Sequence, residues 1–217
     1  MIGDLYGCSY LCFMPTIEIQ HISKSYGKNC VFNDLNFVFD TGIYGISGPN
    51  GSGKSTLMKC ISGLLRPDTG IISWKLTDTG LENKNLYQYL GFAAPYIQFY
   101  SDLSCIENLL LILELLGQAR DKNRVEAVLR KVGLHEKKHA WYGKLSSGQQ
   151  QRLRLAGALI KNPPFLLLDE PGTNLDVNGY ELVEKIVQSA SRNNTVVIIA
   201  SNDATELALC EQVFSVK

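Results

Sequence analysis

The residues Gly48-Pro49-Asn50-Gly51-Ser52-Gly53-Lys54-Ser55-Thr56 carry the densest chemical content of the chain. They fit G-x-x-x-x-G-K-[ST], the Walker A phosphate loop. Glycines at 48, 51 and 53 let the backbone turn where side chains would collide, so that successive N–H groups can point at one anion. Lys54 is a point charge for the β- and γ-phosphates, Ser55 offers a hydroxyl to Mg²⁺, and Thr56 sits beside it at a helix start. That helix is expected over about 54–64, with its positive dipole end aimed at the phosphates.

Two further stretches could share in phosphate chemistry. Leu168-Asp169-Glu170 puts a carboxylate at the end of an apolar run. Next to a phosphate loop, such an acid is placed to hold Mg²⁺ directly or through water, as a Walker B acid does. Glu170 can then accept a proton from a water in line with the γ-phosphate, or orient that water. In Leu145-Ser146-Ser147-Gly148-Gln149-Gln150-Gln151-Arg152, Ser146 can bond a phosphate and cap a helix, while Gly148 permits close backbone approach. This stretch lies about twenty residues before the Walker B run, which makes it informative. Tyr26, in the turn 23–27 ahead of the phosphate loop, is an aromatic able to stack on a purine ring.

Elements must hold these groups together. Gly42 to Ser47 reads as a short buried strand leading into the loop. Upstream, residues 16–40 alternate as half-buried strands: Ile17 and Ile19, then Leu35, Phe37 and Phe39. Asn33-Asp34 and Asp40-Thr41-Gly42 punctuate them, and an antiparallel sheet is expected. After a turn at 66–70, Ile71 to Trp74 and Leu90 to Ala94 read as strands. Residues 101–161 read as mainly helical, with Leu109, Ile112, Leu113 and Leu116 on one face and Val125, Val128, Leu129 and Val132 on another. Gly117 and Gly133 are expected stops. A helix over 147–161 ends before Asn162-Pro163-Pro164. Phe165 to Asp169 and Val196 to Ala200 are continuous apolar runs suited to strands buried on both faces. A helix over 178–192 and a strand over 212–216 complete the order.

The whole chain of 217 residues balances 21 Lys and Arg against 21 Asp and Glu. This composition gives no electrostatic case for nucleic acid. Its length suits one substantial domain with room for a subdomain. The cysteines, at 8, 12, 30, 60, 105 and 210, show no zinc spacing and read as reduced, structural thiols. The longest apolar stretch, Leu109 to Leu116, contains Glu114 and falls well short of the ~20 residues needed to span a bilayer. Residues 1–13 lack a basic leader region and are expected to be an upstream start or loose tail, with the fold beginning at Met14.

Walker A at 48–56, Leu145 to Gln149, Leu166 to Pro171 and Asn174-Leu175-Asp176 together resemble the ATP-binding subunits of ABC transporters, from about residue 16 to the end. The resemblance implies an α/β fold over 14–217. It would consist of a P-loop NTPase core of the ABC ATPase type, an N-terminal antiparallel β subdomain, and an inserted helical subdomain at about 96–147. It implies ATP and Mg²⁺ as cofactors. It also implies a head-to-tail homodimer or heterodimer, with two ATP molecules held between the Walker A loop of one subunit and the signature motif of the other. A separate integral-membrane permease, which would carry the cargo contacts, and a peripheral position on the cytoplasmic face of the cell membrane follow from the same likeness.

Position by position, Tyr26 resembles the aromatic that stacks on adenine. Ser146, Ser147, Gly148 and Gln149 resemble the signature contacts to the opposite nucleotide, and Asp176 resembles the interface acid that communicates between sites. Tyr96, Phe99 and Tyr100, followed by 102–107, lie where the family forms a groove for a permease helix. The chain departs from the family in three places. Ser147 replaces a second glycine. Asn202 stands where a histidine usually touches the γ-phosphate, and an amide can donate a hydrogen bond there but cannot carry charge. Pro95-Tyr96 replaces Pro-Gln, leaving Gln98 as a substitute only if the loop is displaced. Tyr96 and Asn202 suggest a low-turnover nucleotide-binding module as the alternative, alongside a non-transport ABC regulator. The retained Glu170 favours turnover, with Glu170 and Asn202 as the catalytic candidates.

Overall fold

The structure, a computed structural model, describes residues 15–76 and 80–216. The readings made for 1–13, Met14, Cys8 and Cys12 fall outside the described residues. Among the described residues, strands β1 (Thr16–Tyr26), β2 (Asn29–Phe39), β3 (Gly42–Ser47), β4 (Thr69–Lys75) and β5 (Gly80–Leu81) open the chain, with α1 (Lys54–Ile61) between β3 and β4. A four-stranded sheet in the order β2-β1-β4-β5 is antiparallel. Its buried side is the one that alternation marks: Ile17 and Ile19 pair with Phe39 and Phe37, and Ile17, Ile22, Phe39 and Trp74 are buried.

Two local expectations change. The Asn33-Asp34 pair does not end a strand, because β2 runs through it. Asp34 instead adopts φ 53 and His21 φ 51, their side chains meet at 2.7 Å, and the register shifts between Ile19 and Ile22. The polar pair is absorbed as a bulge. The first helix stops at Ile61 rather than near Leu64, since Gly63 takes a left-handed φ of 76 and its N–H caps Cys60 O.

The second sheet contains β3 with β6 (Leu90–Ala93), which follows the short α2 (Leu86–Tyr89), and with β7 (Phe165–Asp169), β8 (Val196–Ala200) and β9 (Gln212–Ser215). Its order is β6-β7-β8-β3-β9, and every pairing is parallel. Every residue of β7 and β8 is buried, as continuous apolar runs require. The two faces build separate cores. Phe165, Leu167, Val196 and Ile198 pack with α1 and the antiparallel sheet. Leu166, Leu168, Val197 and Ile199 face the other helices.

Those helices are α3 (Cys105–Leu115), α4 (Lys122–Lys131), α5 (Ser147–Leu159) and α6 (Val177–Ser191); a last turn, α7 (Ala204–Leu207), follows β8. Ser104 with Glu107, and Ser146 with Gln149, form reciprocal capping boxes. Gly117 and Gly133 close α3 and α4 with φ 69 and 72. Leu109 and Leu113 meet Val125, Leu129, Val132 and Leu153 in one core. The apolar face of α3 is wider than the spacing implied, because Ile106 and Leu110 are buried as well. Since β3, β7 and β8 are parallel, their C-terminal ends release residues 48, 170 and 201 at one edge of the sheet. Parallel α/β sheets place ligands at such an edge.

Candidate functional site

The loop from Gly48 to Gly53 wraps the start of α1. Gly53 has φ 103, and a Cβ there would come within 2.4 Å of Val31 Cγ1. A Cβ on Gly48 would meet the Val216 carbonyl at 2.5 Å. Both positions therefore require glycine. Lys54 is buried. Its Nζ donates to the carbonyls of Gly48 at 2.7 Å and Pro49 at 3.3 Å, and lies 3.6 Å from Glu170 Oε1. The loop thus holds a cation at its centre, gripped by two of its own carbonyls.

Asp169 ends β7 fully buried, and neither carboxyl oxygen has a hydrogen-bond partner. Burial pushes this carboxyl above its ordinary range, while the facing hydroxyls of Ser55 and Tyr96 and the charges of Lys54 and Lys59 pull it back. Those hydroxyls face the acid without completing bonds of normal geometry. An orphaned, buried carboxylate beside a phosphate cradle and a serine hydroxyl fits a hard, oxygen-seeking cation. Among the described residues, no group of three or more His, Cys, Asp or Glu could hold a metal by itself. Mg²⁺ is commonly held by only one or two carboxylates together with phosphate oxygens and water, so this donor set fits.

Glu170 leaves the sheet with φ 49, anchored by its N–H to Ala200 O at 2.8 Å. Its carboxylate faces the cavity, with Ser201 Oγ 3.5 Å from Oε2. Asn202 lies on the same wall and donates from Nδ2 to Asn50 Oδ1 at 3.1 Å. The cavity, about 630 Å³, is lined by Tyr26, Asn50, Gly51, Gly53, Lys54, Ser55, Thr56, Glu170 and Asn202, all of them site candidates from the sequence. Gly48, Pro49 and Ser52 complete its loop. Tyr26 is the last residue of β1 rather than a turn residue, and the residue is 55% exposed. Val31 and Thr173 also line the cavity; no local pattern marked them.

The signature candidates stand apart. Ser146, Ser147, Gly148 and Gln149 line a second hollow with Arg152, Asn174, Leu175 and Asp176. Ser146 caps α5, and a Cβ on Gly148 would lie 2.8 Å from Asn174 O. Arg152 donates to Asp176 Oδ1 at 3.4 Å.

Gln98 does not replace the absent glutamine: its Oε1 accepts from Tyr142 Oη at 3.1 Å, away from Asp169. Tyr96 is the residue that faces Asp169; burial and the nearby carboxylate push its phenol well above the ordinary range. Lys59 Nζ sits 4.2 Å from its ring centroid. Phe99 packs edge-on against Tyr142, whereas Tyr100 and Trp141 are exposed. Gln151, which the sequence marks only as part of the 145–152 stretch, donates from Nε2 to Pro171 O at 2.9 Å and to Glu170 O at 3.4 Å. Arg154, one turn on, donates to Ile97 O and Tyr142 Oη.

Comparison with known proteins bears on this arrangement. The family model for "ABC transporter" matches residues 32–173. The bacitracin transport ATP-binding protein BcrA of Enterococcus faecalis is 34% identical over 92% of this chain, which spans 65% of that relative's length. The lantibiotic transport ATP-binding protein SrtF of Streptococcus pyogenes is 32% identical over 88% of this chain and 82% of its own length. Among solved structures, the dimeric bacterial ABC transporter cassette MJ0796 is 25% identical, with a TM-score of 0.83 over 93% of this chain and 94% of that one.

Proposed function

The chain belongs to the ABC transporter family, and from that premise we propose that it binds MgATP and hydrolyses it as the ATPase subunit of a transporter. The observation that carries the reading is the edge where Lys54 and Glu170 stand 3.6 Å apart beside the unpartnered oxygens of Asp169. In this reading the Walker A amides and Lys54 hold the phosphates, and Ser55 and Asp169 hold Mg²⁺, which screens phosphate charge when bound. Tyr26 stacks on the adenine. Glu170 accepts the proton of the attacking water, and Asn202 donates to the γ-phosphate. Ser146, Ser147, Gly148 and Gln149 lie outside the cavity, which supports their facing the nucleotide of a second subunit.

Among the described residues no helix is long and apolar enough to cross a membrane. We therefore assign transport to a separate membrane permease, with this chain docked on its cytoplasmic face. Exposed Tyr100 and Trp141 on the helical subdomain are the surface we assign to that contact. Glu170→Gln tests the reading, because the amide keeps the shape but cannot take the proton. ATP affinity should stay within twofold, phosphate release should fall at least 100-fold, and the ATP-loaded chain should double its mass by light scattering. Wild-type hydrolysis by this variant would remove Glu170 from its assigned role.

A further inference from the structure

Beneath the turn that follows Glu170 lies a carboxyl group with no part in the chemistry above. Glu206 of α7 is only 2% exposed. Its Oε1 accepts from the Gly172 N–H at 2.5 Å, whereas Oε2 has no hydrogen-bond partner. The fit is tight: a Cβ on Gly172 would meet Glu206 Oε1 at 2.3 Å and Tyr180 Cε1 at 2.7 Å. The Ser201 hydroxyl also faces this carboxyl, and it lies 3.5 Å from Glu170 Oε2.

The turn is therefore gripped from two sides. Gln151 holds the carbonyls of residues 170 and 171, and Glu206 holds the N–H of residue 172. Glu170 itself sits at φ 49, a region that non-glycine residues occupy only when their surroundings impose it. A buried carboxyl with an unpartnered oxygen costs stability that a hydrocarbon side chain of similar volume would not. Packing alone does not call for an acid there.

We infer that Glu206 is a positioning residue: it fixes the Pro171–Gly172 turn and, together with Ser201, aims the Glu170 carboxylate at the attacking water. This rests on the ATPase reading above. Burial is the main force raising the Glu206 carboxyl, and Glu170 and Asp203 add to it. Either protonation state leaves Oε1 able to accept from Gly172, as does the amide oxygen of a glutamine.

The test compares Glu206→Gln, Glu206→Leu and Ser201→Ala with the wild type by steady-state phosphate release and by ATP binding. Glu206→Leu should lower kcat at least tenfold with ATP affinity within twofold, Glu206→Gln should keep kcat within threefold, and Ser201→Ala should lower kcat severalfold. In a Glu170→Gln background, Glu206→Leu should bring no further loss of kcat. The inference is overturned if Glu206→Leu keeps wild-type kcat, or if Glu206→Gln is as impaired as Glu206→Leu. Should Glu206→Leu fail to fold, Ser201→Ala and Glu206→Gln decide alone: wild-type kcat in Ser201→Ala, or a tenfold loss in Glu206→Gln, overturns it. A wild type that binds ATP but releases no phosphate overturns the ATPase reading first, and this inference with it.

Discussion

An amide at position 202 limits what the loop after β8 can offer a phosphate. Asn202 reaches the phosphate loop through Asn50, so the position is within range of the cavity, but its contribution is an uncharged hydrogen bond. A charge-assisted bond is worth ~1.5–3 kcal/mol, or roughly 10- to 100-fold in rate where it acts on the transition state. Asn202→His should therefore raise kcat severalfold, with ATP affinity little changed. Equal kcat in wild type, Asn202→His and Asn202→Ala would place residue 202 away from the reacting phosphate. Asp169 makes the opposite case, an acid kept buried at a cost. Its carboxyl is raised by burial, so the folded state holds the proton more tightly than the unfolded chain. Stability consequently falls as pH climbs from the ordinary carboxyl range through the raised value, and the loss is complete above it. Asp169→Asn should raise the ligand-free melting temperature at neutral pH and remove the added stabilisation by MgATP. A nucleotide-free variant no more stable than wild type would mean that the acid is solvated in solution.

Close approach of helix and strand governs the elements. Gly91 of β6 lies against α5, where a Cβ would fall 2.2 Å from Ala158 O and 2.7 Å from Pro163 Cγ. Gly91→Ala should cost about 1–3 kcal/mol through overpacking, measured as a lowered melting temperature; an unchanged one would show that α5 can retreat. The same scale explains what the sequence disclosed. β7 and β8 were legible because burial on both faces leaves a continuous apolar signature, and the phosphate loop because its chemistry is local. Asp34 reads as a break in sequence but sits in a bulge, since a bulge and a turn use the same residues. The pairing of Gln151 with the 170–171 carbonyls, the seat of Glu206 and the approach of Tyr96 to Asp169 carry no period or motif. Tertiary packing alone brings residues so distant in sequence together.

Across the whole molecule, the nucleotide cavity and the signature hollow are separate on one chain, so the proposed function calls for two copies to complete a site. Gly148→Asp, with its side chain driven toward the Asn174 carbonyl and its charge toward a phosphate, should spare ATP binding while cutting phosphate release more than tenfold and abolishing the ATP-dependent dimer. Undiminished turnover would mean that each chain works alone. One helix joins these parts. From α5, Gln151 grips the turn at Pro171, and Arg154, a single turn further on, grips Ile97 in the loop after β6. Both side chains project from one helix, so a roll of that helix moves both grips together. With side-chain tips ~5–6 Å from the helix axis, rolling the helix by about 10° shifts them by roughly 1 Å. Misplacement of that size can cost on the order of 100-fold in rate. In the role proposed for Glu170, a roll of α5 smaller than a bond length at its side-chain tips separates an aligned carboxylate from a misaligned one.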